Sequence, residues 1–116
     1  MTPEGAIQNA ILEYLRLRHI FAWRNNSGAV QRRGRDGRVH TYGYGLVGSS
    51  DILGVMPDDS GRLLAIEVKA PTGRLSPAQR DFIESLNSRN CVAFVARSVE
   101  DVEREIKAAM AARRNA

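Results

Sequence analysis

Apolar residues in the first seventeen positions recur at helical spacing. In "TPEGAIQNAILEYLRL" the residues Ile7, Ala10, Ile11, Tyr14 and Leu15 fall on one side of a helix. Thr2 stands as its N-cap and Pro3 at the first helical position, where a missing N–H breaks no bond. The pattern then changes. "HIFAWRN" reads as a short strand, and "GAVQRRGRDGRVHTYG" as two short runs around a Gly-Arg-Asp-Gly tip, a basic hairpin or flap over 28–43. Residues 52–56 and 63–69 form two further strands, joined by the turn "PDDSGR".

Helical spacing returns in "SPAQRDFIESLNSRN", with Ser76 as cap, Pro77 opening the helix, and Phe82, Ile83 and Leu86 facing inward. "CVAFVA" is a buried strand. "SVEDVEREIKAAMAARR" is a last helix capped by Ser98, with Val99, Val102, Ile106 and Met110 along one side and basic residues at its C-terminal end. Residues 112–116 are expected to fray. The order predicts an α/β protein, a small mixed sheet flanked by helices.

A chain of 116 residues fits one compact domain over 1–116, with no repeats or linkers. Cys91 is the single cysteine, so there is no disulfide framework, as suits a reducing cytoplasm. No apolar run approaches the ~20 residues that cross a bilayer. The N-terminus lacks the basic-then-apolar pattern of a signal peptide. A cytoplasmic location and no membrane partner are therefore expected.

Net charge is +4, but its distribution says more. Five arginines (Arg24, Arg32, Arg33, Arg35 and Arg38) share the stretch 24–38 with one acid, Asp36. A cationic surface of this kind favours a polyanion, with phosphate the natural target; a solvated, solubilising loop is the competing reading. Arg74, on the loop before the second helix, joins these arginines as a candidate polyanion contact.

One strand carries a further anomaly. In "DILGVMPDDSGRLLAIEVKA" Glu67 and Lys69 interrupt a run that otherwise reads as core. If the turn is centred near Asp59, residues whose numbers sum to 118 face each other, so Gly54 meets Leu64 and Asp51 meets Glu67. Opposed residues of an antiparallel pair share a face with Cβ atoms roughly 5 Å apart. Lys69 shares that face because side chains alternate. Asp58 and Asp59 sit at the tip, about 15 Å or more from Glu67 at ~3.3 Å per residue, and read as turn formers.

Two carboxylates and a lysine at one spot suit a hard divalent cation such as Mg²⁺, which takes oxygen ligands and keeps several waters. The Val68 carbonyl is a plausible extra ligand. Lys69 can orient an attacking water or stabilise charge on phosphate oxygens. A plain Glu–Lys surface pair is the alternative; Asp51 in register and the basic hairpin favour the chemical reading. Glu4 lies at the margin of the first helix's apolar stripe, either facing a partner across the sheet or simply favouring the helix dipole. Gln79, third after Ser76, closes a capping box.

Two other signals carry little. "GYGLVG" matches GxGxxG, but a strand follows it rather than the helix a dinucleotide site needs. These glycines instead let the backbone turn beside Asp51. With His19 and His40 the sole histidines, histidine-metal or triad chemistry has little material.

"GSSDILGV", "AIEVKAPTGRLSPAQRDFIESL", "TPEGAIQNAILEYLR" and "WRNNSGA" together resemble the VRR-NUC (virus-type replication-repair nuclease) family of the PD-(D/E)xK superfamily. The resemblance spans Thr2 to about Val102. It implies a restriction-endonuclease-like αβββαβ core and a Mg²⁺- or Mn²⁺-dependent DNA endonuclease, structure-selective for four-way junctions, flaps or other branched DNA. It also implies the stand-alone viral or prophage type, a homodimer in a host cytoplasm. By the same resemblance the catalytic set is Asp51, Glu67, Lys69, Glu4 and Gln79, with Asp51, Glu67 and Glu4 around the metal, to which the strand reading adds the Val68 carbonyl. Ser50 stands where the superfamily's name has proline, while a literal Pro57-Asp58 lies in the turn. A non-catalytic or partner-dependent DNA-binding module is the rival class, disfavoured because Asp51, Glu67 and Lys69 are all present.

Overall fold

The computed structural model describes residues 1–26 and 28–116; Ser27, within the Trp-Arg-Asn-Asn-Ser-Gly-Ala stretch, lies outside them. The chain begins with helix α1 (Pro3–Leu17), capped by Thr2, whose hydroxyl accepts the Gly5 N–H at 3.0 Å. Strand β1 (Ala22–Arg24) follows, then the hairpin strands β2 (Gly28–Arg33) and β3 (Val39–Tyr44). Next come β4 (Ile52–Val55), β5 (Leu63–Val68), helix α2 (Pro77–Asn87), strand β6 (Val92–Ala96) and helix α3 (Val99–Arg114). Helix α3 ends at Arg114, and Arg113 is tied to Asp59 at 2.7 Å.

A four-stranded sheet has the order β1-β4-β5-β6, antiparallel except for the parallel pair β5–β6. Together with the three helices it gives the mixed α/β, restriction-endonuclease-like arrangement expected. The separate two-stranded sheet is the β2–β3 hairpin. Register in β4–β5 pairs Ile52 with Ile66, Leu53 with Ala65 and Gly54 with Leu64, so each pair sums to 118.

One sheet face carries the core. Ile52, Leu64, Ile66, Val68, Val92 and Phe94 meet Ile11 and Leu15 of α1 and Val102 and Ile106 of α3. Ala10, expected in that stripe, is exposed: it lies at the margin of the face that Ile11 and Leu15 bury. Helix α2 packs on β6, yet Phe82, Ile83 and Leu86 are half-buried and join none of this core, which puts α2 on the opposite face. The alternation of β5 sends Glu67 to that face as well, away from Ile66 and Val68.

The outer edge of β6 is closed by side chains. The Asn87 amide donates to the Ala93 carbonyl and accepts the Ala93 N–H, both at 2.9 Å. Two positions beyond Val95, the Arg97 N–H donates to Asp101 Oδ2 at 2.8 Å. Among the described residues no helix is long and apolar enough to cross a membrane.

Candidate active site

Asp51 closes the β4–β5 ladder with its side chain. The Val68 N–H donates to Asp51 Oδ2 at 2.8 Å, leaving Oδ1 free of that bond. The segment leading into Asp51 is pinned from β1's end. Asn25 donates its side-chain amide to Ser49 Oγ (2.6 Å) and to the Ser50 carbonyl (3.0 Å), and its backbone N–H to the Asp51 carbonyl (2.7 Å). Gly48, just before this segment, lets the chain pass close against the start of α2. Its φ is +82°, and a Cβ there would meet the Ala78 carbonyl oxygen at 2.5 Å. This is the backbone turn expected of the Gly43–Gly48 stretch.

Glu67 sits opposite Asp51 and is 1% exposed. Both its carboxylate oxygens are buried without a hydrogen-bond donor among the described residues. Burial pushes its carboxyl up to about 8, and the adjacent Asp51 carboxylate adds to the rise. Lys69 pulls the other way, and the more distant charge of Glu4 adds a little to the rise. Two ionised carboxylates are acceptors only, so their approach requires a shared proton or a cation between them. Lys69 is half-buried; its backbone N–H bonds the Ala96 carbonyl at 3.0 Å. The loop beyond is held by Arg97, whose Nη1 donates to the carbonyls of Ala70 (2.5 Å) and Pro71 (3.3 Å).

The fold therefore brings Asp51, Glu67 and Lys69 to one place. Val68 presents its N–H to Asp51, and a strand residue's C=O points to the same side as its N–H. Glu4 is felt by Glu67 through its charge, but no three acidic, histidine or cysteine side chains cluster tightly among the described residues. Gln79 forms the complete capping box: its Oε1 accepts the Ser76 N–H at 2.9 Å, and its N–H donates to Ser76 Oγ at 3.2 Å. Asp58 is engaged in the turn, accepting from the Ser60 N–H, the Ser60 hydroxyl and Arg62. Those bonds hold its carboxyl below the usual range. The literal Pro57-Asp58 is thus a structural turn.

Arg32, Arg33, Arg35 and Arg38 are all exposed on the hairpin, and Arg74 is exposed beside the site's loop. Arg24 reaches back to Asn9 Oδ1 at 2.8 Å. Asn25 and Arg97 are positioning residues that sequence reasoning missed; their roles depend on tertiary neighbours and leave no local pattern.

Two grooves, of about 680 and 420 Å³, lie away from Asp51, Glu67 and Lys69. One is lined by Arg62, Asn87, Phe94 and Ala112, the other by Leu46, Val47, Ala78 and Phe82.

The residues present fit a hard divalent cation. A buried carboxylate with no donor is costly unless a positive charge compensates it, and Asp51 Oδ1, Glu67 and the Val68 carbonyl are the oxygen donors such an ion takes. No curated protein and no solved structure matches the chain. The model of the VRR-NUC domain, however, matches residues 2–100. With the acidic pair and lysine in the register that its strands dictate, the chain belongs to the VRR-NUC family of nuclease domains.

Proposed function

We propose that this nuclease is a divalent-metal-dependent endodeoxyribonuclease. The observation that carries the reading is Glu67, buried, facing Asp51 and with both oxygens free of donors among the described residues. Asp51, Glu67 and the Val68 carbonyl would hold Mg²⁺ or Mn²⁺, with Glu4 contributing from further off. When bound, the cation supplies Lewis-acid stabilisation of the phosphate and lowers the pKa of water at the site.

The chain's own residues do the rest. Lys69 places an ammonium beside Glu67, where it stabilises charge developing on the phosphoryl oxygens. Asp51 keeps the end of β5 in place through the Val68 N–H. Gln79 fixes the start of α2 and keeps its side-chain NH₂ for the substrate. Arg24, Arg32, Arg33, Arg35, Arg38 and Arg74 supply the DNA contacts. Hydrolysis leaves a 5′-phosphate and a 3′-hydroxyl.

The exposed hairpin and the family resemblance support branched DNA as substrate, and a homodimer of the stand-alone viral or prophage type acting in the cytoplasm. Each site cuts one strand, so paired incision of a junction calls for two copies. The test is direct. Labelled duplex, flap and four-way-junction DNAs are incubated with the protein and Mg²⁺, Mn²⁺ or EDTA. Metal-dependent cleavage, strongest on a branched form and accompanied by a dimer in sedimentation, is the expected result. Binding without cleavage under every metal condition would leave a DNA-binding module.

A further inference from the structure

The β2–β3 hairpin stands apart from the sheet that carries the acidic pair. Its strands pair with each other in a sheet of their own, and every residue in them except His40 is exposed. The radius of gyration is 16.3 Å, against about 13 Å for a compact chain of this length. A lone two-stranded ribbon is marginal in water, so one that projects from the body needs a surface to lie on.

Its register sorts the side chains. One face carries Tyr44, Val30 with Tyr42, and Arg32 with His40. The other carries Ala29 with Gly43, Gln31 with Thr41, and Arg33 with Val39. The second face is slim at its base and has hydrogen-bonding groups at its middle. Arg33 is oriented there by a bond from Nη1 to the Gly37 carbonyl at 2.7 Å, which leaves its other N–H groups for a ligand. Arg35 and Arg38 flank the tip. The hairpin's one acid, Asp36, is occupied by His40 at 3.1 Å.

We infer that this ribbon lies in the major groove of duplex DNA with Gln31, Arg33 and Thr41 toward the base edges, so that binding carries a sequence preference. The inference rests on the reading that DNA is the substrate. The major groove, about 12 Å wide, admits a two-stranded ribbon. Ala29 and Gly43 let the backbone approach closely, whereas Tyr42 and Tyr44 hold the opposite face away. Glutamine matches adenine N6 and N7, arginine matches guanine O6 and N7, and the methyl groups of Thr41 and Val39 suit the thymine methyl. Arg32, Arg35 and Arg38 then meet phosphates, which position the ribbon without reading sequence.

The test uses the 116-residue chain carrying Asp51→Asn and a randomised duplex library, with bound DNA separated and sequenced. A short motif containing adenine and guanine positions is expected. Gln31→Ala should lower the adenine preference, and Arg33→Ala the guanine preference, each by roughly ten-fold or more. Arg35→Ala should weaken all sequences alike and reduce the salt slope by about 0.9. Salt-sensitive binding without enrichment, or a motif that survives Gln31→Ala with Arg33→Ala, overturns the ribbon inference while the nuclease reading stands. Absence of DNA binding overturns both. A fall in sedimentation coefficient in place of lost preference would show the ribbon seated on a second copy, and the inference fails.

Discussion

Asp51 and Val68 are joined side chain to backbone, with the Val68 N–H on Asp51 Oδ2 at 2.8 Å. The bond continues the β4–β5 ladder one step beyond its last backbone pair and fixes one carboxylate oxygen beside Glu67. Asp51→Asn keeps an oxygen for the Val68 N–H and removes the charge. Cleavage should fall below detection while thermal stability changes little. Asp51→Ala removes the bond too and should cost a further ~1–3 kcal/mol. Urea melts of the two variants separate these effects. Equal stability of both would mean the bond contributes nothing, and residual cleavage in Asp51→Asn would remove Asp51 from the site.

Glu67 makes the metal-free protein sensitive to pH. Its carboxyl titrates near 8 when folded and near 4.5 when unfolded, so the folded form holds an extra proton between those values. Stability is therefore lost as pH rises from about 4.5 to 8, by up to roughly 3–5 kcal/mol. Melting in EDTA should show this decline, and Glu67→Gln should flatten it while abolishing cleavage. Mg²⁺ or Mn²⁺ should raise the melting temperature more at pH 8 than at pH 6, because the ion displaces the proton. A flat wild-type profile would contradict the burial seen at Glu67.

Lys69 is no metal ligand, so its removal should act on turnover. Lys69→Ala should lower kcat by ~100-fold or more, with substrate and metal affinity within a few-fold of wild type. Single-turnover rates and gel-shift binding of the same variant check this. Normal turnover with weakened binding would reduce Lys69 to a phosphate contact.

Asp58 gives the opposite pattern. Its carboxylate accepts from Ser60 and Arg62, and Arg62 also reaches the Ala109 carbonyl at 3.5 Å. Asp58→Ala should destabilise the protein by ~1–3 kcal/mol and leave the cleavage rate per folded molecule intact. Because these bonds depress the carboxyl's pKa, the stability they add is present above the usual aspartate range and is lost as pH falls through the depressed value. Full stability with lost cleavage would point to Asp58 as a ligand after all.

Much of this arrangement is legible in the chain itself. The three caps at Thr2, Ser76 and Ser98 each accept the N–H that their position predicts. The turn around Asp59 dictates the pairing that sets Asp51 against Glu67, and the structure holds the same register. What local pattern does not show is depth and company. Glu67 is buried to 1% exposure by neighbours distant in sequence, which no property of Glu-Val-Lys foretells. Asn25 and Arg97 act on segments distant in sequence, and the hairpin's separation from the main sheet depends on which edges β1 and β4 take up. Ala10 illustrates the converse error, a helical stripe drawn one residue too wide.

The Asn87 side chain has a consequence for how copies of this chain can meet. A β-sheet edge is a template, and any like strand that finds unpaired N–H and C=O groups can extend it without limit. By presenting its own amide to Ala93, Asn87 imitates the next strand for one residue and then ends, and Asp101 does so for the N–H of Arg97. Fibre-like growth is thereby interrupted on that side. Within the four-stranded sheet, strand-by-strand joining is left to the three-residue edge of β1, where an added strand finds too short a ladder to propagate.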